Sequence, residues 1–152
     1  MSLHAATVSW TLDGDFLRRR YSRVHSLDFG HGLVVPGSAS PSVVPEPYAT
    51  HAAIDPEAAF VASLSACHML WFLDHACRAG FIVESYADAA DGELAKGADG
   101  KMVMTRVTLR PAARFLGERT PTAAELDALH HAAHGDCFIA NSVKTPIAVE
   151  PA

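Results

Sequence analysis

The stretch that decides the fold is Asp55-Pro56-Glu57-Ala58-Ala59-Phe60-Val61-Ala62-Ser63-Leu64-Ser65-Ala66-Cys67-His68-Met69-Leu70-Trp71-Phe72-Leu73-Asp74-His75-Ala76-Cys77-Arg78-Ala79-Gly80. Asp55 is a good N-cap, Pro56 suits the first helical turn, and Glu57 complements the positive end of a helix dipole. No Gly or Pro interrupts Ala58 to Ala79, and Gly80 closes the run. The pattern predicts a helix of about 24 residues, ~36 Å long. Between Phe60 and Leu73 the only polar side chains besides the Cys67 thiol are Ser63, Ser65 and His68. A helix apolar on nearly all sides should be covered on nearly all sides. A chain of 152 residues would struggle to do this alone, so burial in a dimer interface is expected.

Upstream, residues 36–54 carry Pro36, Pro41, Pro45 and Pro47 among Gly and Ser. They read as one long irregular loop, and loops of this length are often functional. Before it, residues 3–12 alternate loosely as a strand ending at Asp13-Gly14. Residues 18–29 read as a second strand, and Leu33-Val34-Val35 as a third, stopped by Pro36. Together they form a β region over about 3–35. Downstream, 81–110 reads as a β-hairpin turning at Lys96-Gly97-Ala98-Asp99-Gly100, with 102–110 the best strand in the chain. Thr122-x-x-Glu125 is a capping box opening a helix over 122–134, with Leu126, Leu129 and Ala133 on its apolar face. Residues 145–150 read as a last strand. The whole reads as one α+β domain spanning 1–152.

Charge narrows the function. Twelve Lys and Arg against seventeen Asp and Glu leave a net charge of −5, which argues against nucleic acid as a partner. No apolar run reaches the ~18 residues of a membrane span, and the N-terminus lacks a signal-peptide pattern. The expected location is cytoplasmic, with no membrane partner. Three cysteines in a reducing compartment do not read as a disulfide framework.

Cys67 lies mid-helix and Cys137 follows Gly135-Asp136 at a helix end. Either could pack as a small hydrophobe, or the two could meet as a pair. Cys77 lies ~15 Å from Cys67 along the helix, too far for a disulfide, and reads as structural. His130, His131 and His134 could suggest a metal. Only His130 and His134, at i,i+4, could share a face; a zinc site needs a third protein ligand and no metalloprotease Glu follows His130, so a solvated His face is the expectation and no metal is expected. No nucleophile-elbow or phosphate-loop motif is present. Phe60, Leu64, Trp71 and Phe72 read as core. Arg18, Arg19, Arg20 and Arg23 can be read as a solvated hairpin face.

Two segments nevertheless resemble the OsmC/Ohr family of thiol-dependent peroxide reductases. Asp55-Pro56-Glu57 through Ala66-Cys67 resembles the family's Asn-Pro-Glu helix ending in Ala-Cys. Cys137-Phe138-Ile139-Ala140-Asn141-Ser142 resembles its second Cys followed by Asn-Ser. The order of elements resembles the family's over nearly the whole chain. Asp55 stands where the family commonly has Asn, and Phe138 where Pro commonly follows the second Cys.

The resemblance implies an intertwined homodimer, with antiparallel sheets of both chains wrapped around two long central helices. It implies reduction of organic hydroperoxides to alcohols by a peroxidatic Cys67 and a resolving Cys137, through a Cys67–Cys137 disulfide. It also implies an acid, Glu57, supporting an Arg beside the thiolate. Loop 36–54 has no Arg. The candidates are Arg18, Arg19, Arg20 and Arg23, with Arg23 preferred for sharing a strand face with Tyr21 and His25. Ten helical residues place Glu57 ~15 Å from Cys67, farther than an Arg can bridge. The acid for each Cys67 should therefore come from the partner chain, unless the helix kinks. No bound cofactor is expected. The implied reductant is an external dithiol of lipoyl type. The other reading is a non-catalytic dimer of the same fold that binds a hydrophobic small molecule at its interface.

Overall fold

The long apolar run forms one helix, α1 (Pro56–Arg78). The Asp55 carboxylate caps it, accepting the Ala58 N–H at 2.8 Å. Gly80 ends it with φ +81, a left-handed conformation that a Cβ disfavours. The computed structural model describes all residues 1–152, and the chain divides into two compact units, Met1–Ala59 and Phe60–Ala152.

The first unit holds β1 (Thr7–Ser9), β2 (Gly14–Asp15), β3 (Arg20–Tyr21), β4 (His25–Asp28) and β5 (Val34–Gly37). β1, β4 and β5 form an antiparallel sheet with β4 central, and β2 pairs with β3. The strands expected over 3–12 and 18–29 are therefore shorter and broken. Gly14 explains the break. It takes φ +113, and a Cβ there would lie 2.3 Å from the Arg20 carbonyl oxygen. Pro36 does not stop its strand. It lies within β5, where its carbonyl accepts the Ile54 N–H at 3.0 Å. The Pro-rich loop is thus tied at its ends. The Ser38 N–H donates to Ile54 O, and the Thr50 N–H donates to the buried Ser38 hydroxyl.

The second unit continues α1 and adds β6 (Ile82–Asp88), β7 (Asp91–Lys96), β8 (Met102–Leu109) and β9 (Pro111–Leu116). Then come α2 (Ala123–Asp136), a 3-10 turn (Ala140–Ser142) and β10 (Ile147–Val149). The expected hairpin over 81–110 is corrected in one respect. β7 and β8 do pair across the predicted turn, but β6 leaves them and pairs with β9. Asp88 marks the departure. Its carboxylate accepts the Arg110 N–H and the Ser65 hydroxyl, each at 2.6 Å. That ties the end of β6 and the start of β9 to the middle of α1. β10 runs parallel to β8, so not every pairing is antiparallel.

The α1 residues buried in the chain are Leu64, His68, Phe72 and Ala76, a single stripe at i+4 spacing. Leu64 packs with Val107 and Leu109 under β8. Phe72 and Ala76 pack with Phe81, Leu129 and Ala133, joining α1 to α2. Expected burial on nearly all sides is not reached within one chain, and Leu70 is 62% exposed. By length and composition α1 would suffice to cross a membrane, with mean hydropathy 1.2 over its most apolar 18 residues, contrary to the expectation from run length.

Candidate thiol site

Two elements of the second unit deliver the two cysteines that matter. Cys67 projects from the middle of α1 and is half-buried. Cys137 is the C-cap of α2 and is 1% exposed. α2 is fixed at its start by the expected capping box. The Glu125 N–H donates to the Thr122 hydroxyl, and the Thr122 N–H donates to Glu125 at 2.8 Å. The Thr122 N–H and then the Thr122 hydroxyl, both donating to the Glu125 carboxylate, hold it below the usual carboxylate range.

The turn after α2 is closed by the Asn-Ser segment. Asn141 Nδ2 donates to Gly135 O at 2.9 Å, and Ser142 Oγ donates to Phe138 O at 2.7 Å. The Asn141 N–H donates to the Cys137 carbonyl at 3.0 Å, and the Ala140 N–H points at Cys137 Sγ at 3.4 Å. These bonds give the segment a local reason to exist: they set where the thiol points.

Cys67 lies close enough to Cys137 for the two thiols to influence each other. Burial, and then the neighbouring Cys67 thiol, push the Cys137 thiol up to about 11. At neutral pH it stays protonated and can donate. Both cysteines are free thiols. Of the readings left open by the sequence, the structure brings these two together. Cys77 is also free but exposed in the last turn of α1, so the expectation that it packs as a structural residue is corrected.

Cys67 opens on a cavity of about 570 Å³ walled by Leu70, Trp71, Phe138 and Ile139, with Asp74 and Arg78 at its far end. Trp71 and Phe138 meet edge to face, with centroids 5.3 Å apart. Trp71, read as core, is in fact shared between core and cavity. Arg78 is the only cation lining the cavity and lies 3.0 Å from Asp74, close enough for an ion pair. That carboxylate oxygen has no aligned hydrogen-bond donor.

The other expected site residues belong to the first unit. Glu57 lies in the first turn of α1 and makes no ion pair. Arg23 lies between β3 and β4 rather than on a strand. Its guanidinium sits 3.6 Å over the Tyr21 ring and donates to the Tyr21 and Arg19 carbonyls. It does share a cavity of about 300 Å³ with Tyr21 and His25. Arg18 pairs with Asp15 at 3.6 Å.

The solvated His face is corrected for His130, which is 3% exposed. Its ring lies 4.4 Å from that of Phe72, and its Nδ1 lies 3.1 Å from Nε2 of His68, itself 1% exposed. Burial first, then the nearby His130 and His134, lower His68 to about 4. Burial likewise lowers His130. This pair was missed at the level of sequence. The signal available was His68 occurring in the same i+4 row as Leu64, Phe72 and Ala76. No group of three or more His, Cys, Asp or Glu is arranged to hold a metal ion.

Comparison with known proteins bears on this geometry. A family model described as OsmC-like protein matches residues 49–152. An OsmC-like protein of unknown function from Vibrio cholerae is 47% identical, with 100% of each chain covered and a TM-score of 0.98. The organic hydroperoxide resistance protein OhrB of Bacillus subtilis is 18% identical, covering 99% of this chain and 100% of its own, with a TM-score of 0.68. An organic hydroperoxide resistance protein from Legionella pneumophila is also 18% identical, covering 99% and 97%, with a TM-score of 0.68. At that identity the last two show the α+β fold alone. No curated protein matches the sequence.

Proposed function

The chain belongs to the OsmC-like family, and on that premise we propose that it is a thiol-dependent peroxidase of organic hydroperoxides that works as a homodimer. The observation that carries this reading is the approach of Cys137 to Cys67 beside an apolar cavity. In this reaction the Cys67 thiolate attacks the distal peroxide oxygen. The O–O bond breaks, the alkoxide takes a proton and leaves as alcohol, and Cys67 becomes a sulfenic acid. Cys137 then attacks the sulfenic sulfur and water leaves, closing a Cys67–Cys137 disulfide. An external dithiol of lipoyl type reduces that bond by exchange and is itself oxidised to a disulfide.

The difference between the two thiols supports this division of labour. A Cys137 held as neutral thiol near pH 7 does not compete for peroxide. The walls of Leu70, Trp71 and Phe138 favour a peroxide with an apolar body over hydrogen peroxide. A second copy would cover the α1 face left open by one chain. The cation and acid assigned to the thiolate, Arg23 and Glu57, enter as requirements of the dimer, with the acid supplied by the partner helix. The proposed location is cytoplasmic.

The test compares consumption of cumene hydroperoxide by wild type and Cys67→Ser with a lipoyl dithiol present. Turnover by wild type and background rates for the variant are expected; equal rates remove the enzyme. One observation favours a second reading, a non-catalytic dimer that binds a hydrophobic molecule. The only cation lining the cavity, Arg78, is engaged by Asp74. Equal rates together with saturable binding of an apolar dye would select that reading.

A further inference from the structure

The two helices that carry the cysteines touch through a polar contact that the chemistry above does not use. His68 follows Cys67 on α1, and His130 lies two turns before Cys137 on α2. Their rings are nearly parallel, at 8° with centroids 5.4 Å apart, and one N–H is shared between His68 Nε2 and His130 Nδ1 at 3.1 Å. Along the buried stripe of α1, His68 falls between Leu64 of one apolar cluster and Phe72 of the other. The dyad is thus the polar seam of an otherwise apolar core.

Its hydrogen bonding is incomplete. His68 Nδ1 is buried without a partner. Whichever tautomer is present, a lone pair or an N–H is left bare, and such a group holds its place only while neighbours enforce it. The charged groups facing the dyad act in both directions, and burial outweighs them. On β6, Asp88, which also accepts from the Ser65 hydroxyl and the Arg110 N–H, favours a charge on both rings, and the Tyr86 hydroxyl is buried and unpartnered. On α2, His134 opposes a charge on His68, and Asp127 favours one on His130.

We propose that the His68–His130 dyad is a positioning strut that holds the end of α2, and with it Cys137, against Cys67, and that acid releases it. This rests on the two-thiol reading above and names a control built into that site. Burial depresses both imidazoles, so the folded form resists protons that the opened form accepts. Stability from the closed dyad is therefore present above the ordinary His range near 6.5 and is lost as pH falls toward about 4, the value for His68. The opened form exposes Cys137.

The experiment is labelling of Cys137 by 4,4′-dithiodipyridine between pH 7 and pH 4, each rate divided by that of glutathione at the same pH. The thiol displaces 4-thiopyridone from the reagent and becomes the mixed disulfide, so no other oxidant is needed. Cys67→Ser serves as background, leaving Cys77 as an exposed internal reference. The normalised Cys137 rate is expected to rise by about fivefold or more on acidification. In His68→Gln/His130→Asn, whose amides can keep the contact without titrating, it is expected to stay flat. His68→Gln/His130→Gln provides a second non-titrating pair should the first double variant fold poorly. A flat wild-type profile overturns the strut, and so does an equal rise in the variants. Labelling requires no peroxide, so loss of turnover would remove the enzyme and leave this result standing, while the converse would remove only the strut.

Discussion

Cys137 shows how much a single thiol depends on its immediate neighbours. Its position is set by the Asn141 amide on the Gly135 carbonyl and by the Ser142 hydroxyl on the Phe138 carbonyl. Asn141→Ala removes the first of these and is expected to cost about 1 kcal/mol in urea unfolding. The same variant should label faster at Cys137, because the turn that buries it loosens. The Asn-Ser pair was legible in sequence only as part of a resemblance, and its hydrogen bonds give it a physical reason. Arg23 was less legible. A run of arginines says nothing about which one finds an aromatic face, and the Tyr21 ring selects Arg23 only once the β2–β3 ribbon has formed.

Elements were legible where one local signal ruled them. Asp55, Pro56 and Gly80 bounded α1, and Thr122 with Glu125 opened α2. Thr122→Ala is expected to lower stability by about 1 kcal/mol, measured by thermal unfolding, since it removes the hydroxyl side of the capping box. Strand pairing was harder to read. β6 and β7 are separated only by Ala89 and Ala90, which carry no turn signal, so the split into two sheets was hidden. The split depends on Asp88 bonding to Ser65 and Arg110, partners far from it in sequence. The buried histidines were hidden for the same reason: a polar residue in an apolar stripe finds its partner on another helix.

At the scale of the whole molecule, the open question is what covers α1. One chain buries the Leu64–His68–Phe72–Ala76 stripe and leaves Leu70 largely exposed. The apolar character read from sequence therefore exceeds what this chain uses, and the proposed second copy accounts for the excess. Sedimentation equilibrium should find a dimer for wild type, while Leu70→Arg should shift it toward monomer and lose peroxide turnover with it. A monomeric wild type with full activity would contradict that assembly.

The account stands most directly on the chemistry between Cys67 and Cys137. Reduced protein treated with one equivalent of cumene hydroperoxide should be digested without reductant and its cross-linked peptides mapped by mass spectrometry. A single new disulfide joining residues 67 and 137, with Cys77 still free, is the predicted result. Two unlinked thiols at those positions, or Cys77 as the oxidised residue, would contradict it.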